Sequence, residues 1–125
     1  KRPLNGWMAF RAYYSPLFTS LQQKQISGFV STMWQNDPFQ AKWAITAKAY
    51  SKLRDAFGKD HAPLDRYFKI ACPEIGIISP GQYMEMLGWE VSLSDGERKI
   101  SRRFTPDISS FPEELRTTSL SADEL

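Results

Sequence analysis

The sequence is almost without the residues on which most catalytic and metal chemistry depends: one cysteine, Cys72, and one histidine, His61, in 125 residues. A single thiol excludes an internal disulfide framework, and one Cys with one His cannot complete an all-Cys/His zinc site within the chain. No glycine-rich phosphate loop, HExxH helix or paired-carboxylate spacing occurs. A Cys72–His61 dyad would need the two side chains within hydrogen-bond reach. The chain reads instead as an inert thiol and a loop histidine, and no enzyme and no cofactor is expected. Also missing is any apolar run near the roughly 18 residues of a membrane-spanning helix, or a charged-then-apolar leader. No membrane partner is expected. The first residues, Lys1-Arg2-Pro3, lack a methionine, as in a piece of a longer protein.

What is present is apolar and aromatic: 42% and 14% of residues, with 24% charged. That is enough for one well-cored domain with appendages, and too short for two full ones. The net charge of +2 conceals a division. Residues 1–60 hold nine Lys/Arg against three Asp, a net of +6; residues 61–125 hold seven against eleven acids, a net of −4. A polyanion-binding surface therefore belongs to the first half.

Hydrophobic periodicity divides that half into three helices. Trp7, Phe10 and Tyr14 fall on one stripe, with Met8 beside it, and Pro16 should end this helix near Tyr14 or Ser15. From about Gln22 to Asn36, Ile26, Phe29, Val30, Met33 and Trp34 form a broad inward face. Gly28 within it costs about 1 kcal/mol relative to alanine, a cost that close approach to a helix or a ligand would offset. Asp37-Pro38 predicts an N-cap and first helical position for a third helix through Phe39, Trp43, Ala47, Tyr50, Leu53 and Phe57, stopping at Gly58. About 20 residues give it a length near 30 Å.

Beyond Gly58, Asp60-His61-Ala62-Pro63 and Ser79-Pro80 each predict a further helix start, and Gly88 a stop. Tyr67/Phe68 and Tyr83/Met84/Leu87/Trp89 form either a cluster folding back on the core or a groove for a partner. Residues 89–104 alternate weakly and are either extended or a tail. Arg98-Lys99-Ile100-Ser101-Arg102-Arg103 is a solvated charge run, a DNA-backbone tail or a nuclear import patch. Residues 105–125, with seven Ser/Thr, two Pro and five acids, are expected to stay mostly disordered.

The segment Lys1-Arg2-Pro3-Leu4-Asn5-Gly6-Trp7-Met8-Ala9-Phe10-Arg11 joins a basic arm, an amide able to donate and accept, and a flexible apolar group at a helix start. On composition alone this is also compatible with a frayed terminus, a capping Asn and core filler. It resembles the opening of an HMG box: Arg2, Pro3, Asn5, an aromatic (Trp7), a wedge (Met8) and a core aromatic (Phe10). Tyr13-Tyr14-Ser15-Pro16, Gln22-Gln23-Lys24 with Ile26-Ser27-Gly28, Met33-Trp34-Gln35 with Asp37-Pro38-Phe39, and Lys42-Trp43-Ala44 extend the likeness. Together they are similar to the alpha-box of fungal mating-type transcription factors, strongly over 1–57 and more weakly to about 91.

The resemblance implies an all-α fold, with a three-helix L-shaped core over residues 1–58. A helical extension packing on the core follows over 59–91, then a basic and then acidic, Ser/Thr-rich tail over 92–125, largely disordered. It implies a nuclear, sequence-selective factor that binds the minor groove of double-stranded DNA as a monomer, bends it and activates mating-type-specific genes, with MADS-box or other transcription factors as partners. Met8 would be the wedge and Trp7 its flanking aromatic. Asn5 and Ser27 would face bases or sugars, Lys1, Arg2, Arg11 and Lys24 phosphates, and Phe10, Trp34 and Trp43 the core. Gln23 would also contact the DNA, yet Gln23 and Lys24 stand where sequence-specific boxes often carry Asn and Ser, and Ala12-Tyr13-Tyr14-Ser15 replaces helix-1 cations. These departures leave room for the alternative of an interaction module tethered to DNA through a partner.

Overall fold

The computed structural model describes residues 3–116. Three helices make the first half: α1 (Gly6–Tyr14), α2 (Gln23–Gln35) and α3 (Gln40–Phe57). The Asn5 side chain accepts the Met8 N–H at 2.8 Å and so caps α1. Pro16, with no amide hydrogen, turns the chain after Tyr14 into a 3-10 turn over Ser15–Phe18. Ile26, Phe29, Val30 and Met33 of α2 point inward as the spacing predicts. Helix α3 ends at Gly58, whose φ of +83° suits glycine.

Two local expectations are corrected. Helix α3 starts at Gln40 rather than directly after Asp37. The Asp37 carboxylate accepts the Phe39 N–H at 2.9 Å within a preceding turn, and its other oxygen is drawn into the core by the Tyr83 hydroxyl at 2.6 Å. Gly28 approaches no helix: a Cβ there would meet nothing within 4 Å.

The core is aromatic. Phe10, fully buried, lies 5.2 Å from Trp34, 5.8 Å from Trp43 and 5.8 Å from Tyr83, ring centre to ring centre, mostly edge-on or tilted. Tyr83 belongs to α5 (Pro80–Leu87), which follows α4 (Leu64–Ile75). The extension folds back on the box: Phe68, Cys72, Ile75, Tyr83, Leu87 and Trp89 share one cluster with Phe10, Val30 and Trp43. Long side chains stitch the two parts. Tyr14 donates to the Ile78 carbonyl at 2.7 Å, Tyr50 to Ala62 at 2.8 Å, Tyr67 to Thr46 at 2.9 Å, and the Lys42 ammonium to Gly76 at 3.1 Å. The Ile78, Ala62 and Gly76 carbonyls lie outside the helices and gain partners in this way.

The largest addition to a purely helical picture is an antiparallel hairpin, β1 (Trp89–Ser94) and β2 (Glu97–Arg102), paired from Trp89↔Arg102 to Ser94↔Glu97. Its two-residue turn is Asp95-Gly96, at φ +52° and +78°, a pairing of residues that tolerates the left-handed region and matches strand twist. Residues 92–102, expected in the disordered tail, are thus a strand pair. Further on, a 3-10 turn over Ile108–Ser110 and a short α6 (Glu113–Arg116) follow, with Phe111 stacked 6.0 Å from Phe39. Aromatic anchoring is what the polar composition of this stretch hides. Residues 117–125 of the expected tail lie outside the described residues.

Candidate nucleic-acid interface

The candidate site begins at the amino end of α1. At about 100° per residue, Phe10 and Met8 project to opposite sides of the helix. Phe10 takes the core, while Met8 is 46% exposed. Trp7, half-buried, leans on Trp34 at 6.2 Å and 48°. Gly6 lets this corner close: a Cβ there would stand 3.2 Å from the Ala44 nitrogen and 3.3 Å from the Trp34 ring. Met8 therefore projects from a helix whose opposite face is held among packed rings. Trp34, expected in the core, is only partly buried and serves as the prop between Trp7 and Phe10.

Asn5 is exposed, but its carbonyl oxygen is committed to the Met8 N–H. Its amide NH2 is the group left to face a ligand, a donor suited to the adenine N3 and thymine O2 acceptors of the minor groove. Arg11 is exposed and reaches across to α2, donating to the Ser27 hydroxyl at a long 3.4 Å. That contact brings one residue from each of two helices together. Gln23 and Lys24 are exposed in the first turn of α2, where Gln22 provides no side-chain cap. Lys1 and Arg2 lie outside the described residues.

Residue patterns gave no sign of one further feature. The Leu4 N–H donates to the Ser51 hydroxyl at 2.8 Å, and Ser51 in turn donates to the Ala47 carbonyl at 3.0 Å, so the arm before α1 is tied to α3. No local signal marks a pairing between positions 47 residues apart.

Burial pushes the Cys72 thiol up to about 12, so it stays protonated at neutral pH, and it is hydrogen-bonded to Tyr13. Among the described residues no group of three or more His, Cys, Asp or Glu could hold a metal ion, and no helix is long and apolar enough to cross a membrane.

An exposed apolar side chain at a capped helix start, with polar and cationic groups from two helices around it on an aromatic three-helix core, defines a domain of the HMG-box class. Residues 1–122 match the family described as Mating-type protein MAT alpha 1 HMG-box, and the chain belongs to that family. A mating-type protein MAT-1 of Fusarium oxysporum is 49% identical over 96 residues, 77% of this chain and 27% of its own length. The MAT-1 protein of Cochliobolus heterostrophus is 34% identical over 128 residues, covering 100% of this chain and 33% of its own. The Mat- sexual cell fertilization-promoting factor of Podospora anserina is 38% identical over 109 residues, 86% of this chain and 36% of its own. The chain thus spans about a third of the length of these relatives. No solved structure matches it. The family is one of mating-type regulators, not of enzymes.

Proposed function

We propose that this domain binds double-stranded DNA in the minor groove as a monomer, bends it, and selects the sites at which a nuclear mating-type factor activates its genes. The observation that carries this reading is Met8, half exposed at the start of a helix whose opposite face is locked into the aromatic core. A flexible apolar group on a rigid base can enter a base step, and the bend it produces increases the protein surface in contact. Kinks of about 20–90° are general to such wedging proteins, HMG boxes among them, rather than particular to this chain. Asn5 and Ser27 face the bases or sugars, and Lys1, Arg2, Arg11 and Lys24 the phosphates. These four cations by themselves contribute about −4 to the slope of log K against log salt.

Met8→Ala tests the wedge. In a FRET bending assay its duplex should be clearly straighter than the wild type's, while the salt slope is unchanged, because no cation is lost. An unaltered angle overturns the assignment.

One observation favours a second reading. On the outer side of α1 only Arg11 is cationic, next to Ala12. That is a thin electrostatic footprint, and it suits a module carried to DNA by a MADS-box or other transcription factor. Titrating the chain against random and AT-rich duplexes at low salt separates the two. Absence of saturable binding supports tethering, and random duplexes bound as tightly as selected ones support bending without selection.

A further inference from the structure

We propose that the outward stripe of α3 beside the arm, centred on Lys48 and Lys52, is a second phosphate-contacting surface for the same duplex; this rests on the DNA-binding reading above. The arm is held on α3 at two points. At one, Gly6 lies against the backbone of Ala44; at the other, the Leu4 N–H meets the hydroxyl of Ser51. Seven residues of helix separate these points, about 10 Å. Lys48 lies between them along the helix axis.

The helical repeat sets Ala41, Ala44, Lys48 and Lys52 within a sector of about 80°, and all four are exposed. Ala41 and Ala44 leave nothing taller than a methyl group along the stripe, so a sugar-phosphate backbone can come close. The two lysines are one turn, about 6 Å, apart. No acid precedes Asp55 on α3. The remaining lysine of the helix, Lys42, is turned inward onto the Gly76 carbonyl. Long flexible ammonium groups contribute charge without base selection, which suits a strand flanking the groove that Asn5 faces.

The test compares the whole chain with its Lys48→Gln/Lys52→Gln variant by fluorescence anisotropy on one duplex between 50 and 200 mM salt. Losing two phosphate contacts should flatten the slope by about 2, so that affinity falls roughly tenfold less across that range, with the FRET bend angle unchanged. A slope equal to the wild type's overturns the proposal. So does an equal flattening by Arg66→Gln/Lys69→Gln on α4, which removes the same charge elsewhere and would make the effect one of net charge. If the wild-type chain shows no saturable binding at 50 mM salt, the DNA-binding reading itself has failed and this surface falls with it; a binding wild type with an unflattened variant removes the α3 surface alone.

Discussion

Single residues show how burial changes ordinary chemistry in this domain. Asp37 is buried, and desolvation raises its carboxyl from 3.8 to about 6 despite the hydrogen bonds from Tyr83 and Phe39 and the nearby Arg102 charge, all of which oppose the rise. The folded chain therefore holds this proton more tightly than the unfolded chain. Its contribution favours the fold below about pH 4, is lost as pH rises toward 6, and is constant above; a gap of about two pH units is worth ~3 kcal/mol. Asp37→Asn should consequently gain on the wild type in melting temperature between pH 4 and 6, and an unchanged difference over that range would refute the assignment. Glycines divide in the same way by surroundings. At Gly88, with φ +79°, a Cβ would lie 2.5 Å from the Phe104 carbonyl oxygen, so Gly88→Ala should destabilise by about 2 kcal/mol or more. Gly28, in open helix, should accept alanine with a gain of about 1 kcal/mol. Thermal melts of the two variants should move in opposite directions.

Individual elements differ in how plainly their residues announce them. The end of α1 before Pro16, the inward face of α2 and the stop of α3 at Gly58 all follow from backbone chemistry within a few residues, and each lies where it is expected. The weak alternation of the hairpin suits strand or tail alike, although Asp95-Gly96 between alternating apolar residues carries the signal for a two-residue turn. Its first strand is anchored by the buried Trp89, whose ring lies 4.4 Å from the Arg102 guanidinium. Elements after Gly58 depend on the box and the box on them. Removing residues 59–116 would strip the partners of Tyr14, Tyr50 and Asp37 and uncover one side of Phe10 and Trp43. A fragment of residues 1–58 should therefore lack a cooperative thermal transition, whereas the whole chain shows one; a sharp transition in the fragment would show that the box stands alone.

Across the whole molecule, charge and packing are separated along the chain. The basic first half supplies the candidate interface, and the acidic second half supplies helices and a hairpin that pack behind it. This arrangement leaves Met8 exposed on a rigid helix, since Phe10 on the opposite face is braced by α5 as well as by α2 and α3. The order of helices and their inward faces were legible in the sequence, because periodicity, proline, glycine and capping act over one or two turns. Long-range contacts decided the rest. Asp37 became a buried acceptor because Tyr83, 46 residues away, donates to it. Asn5 kept only its NH2 free because its oxygen closes α1, and the arm gained a register because Ser51 happens to face Leu4. Such pairings join positions remote in the chain, and no short-range preference can encode them.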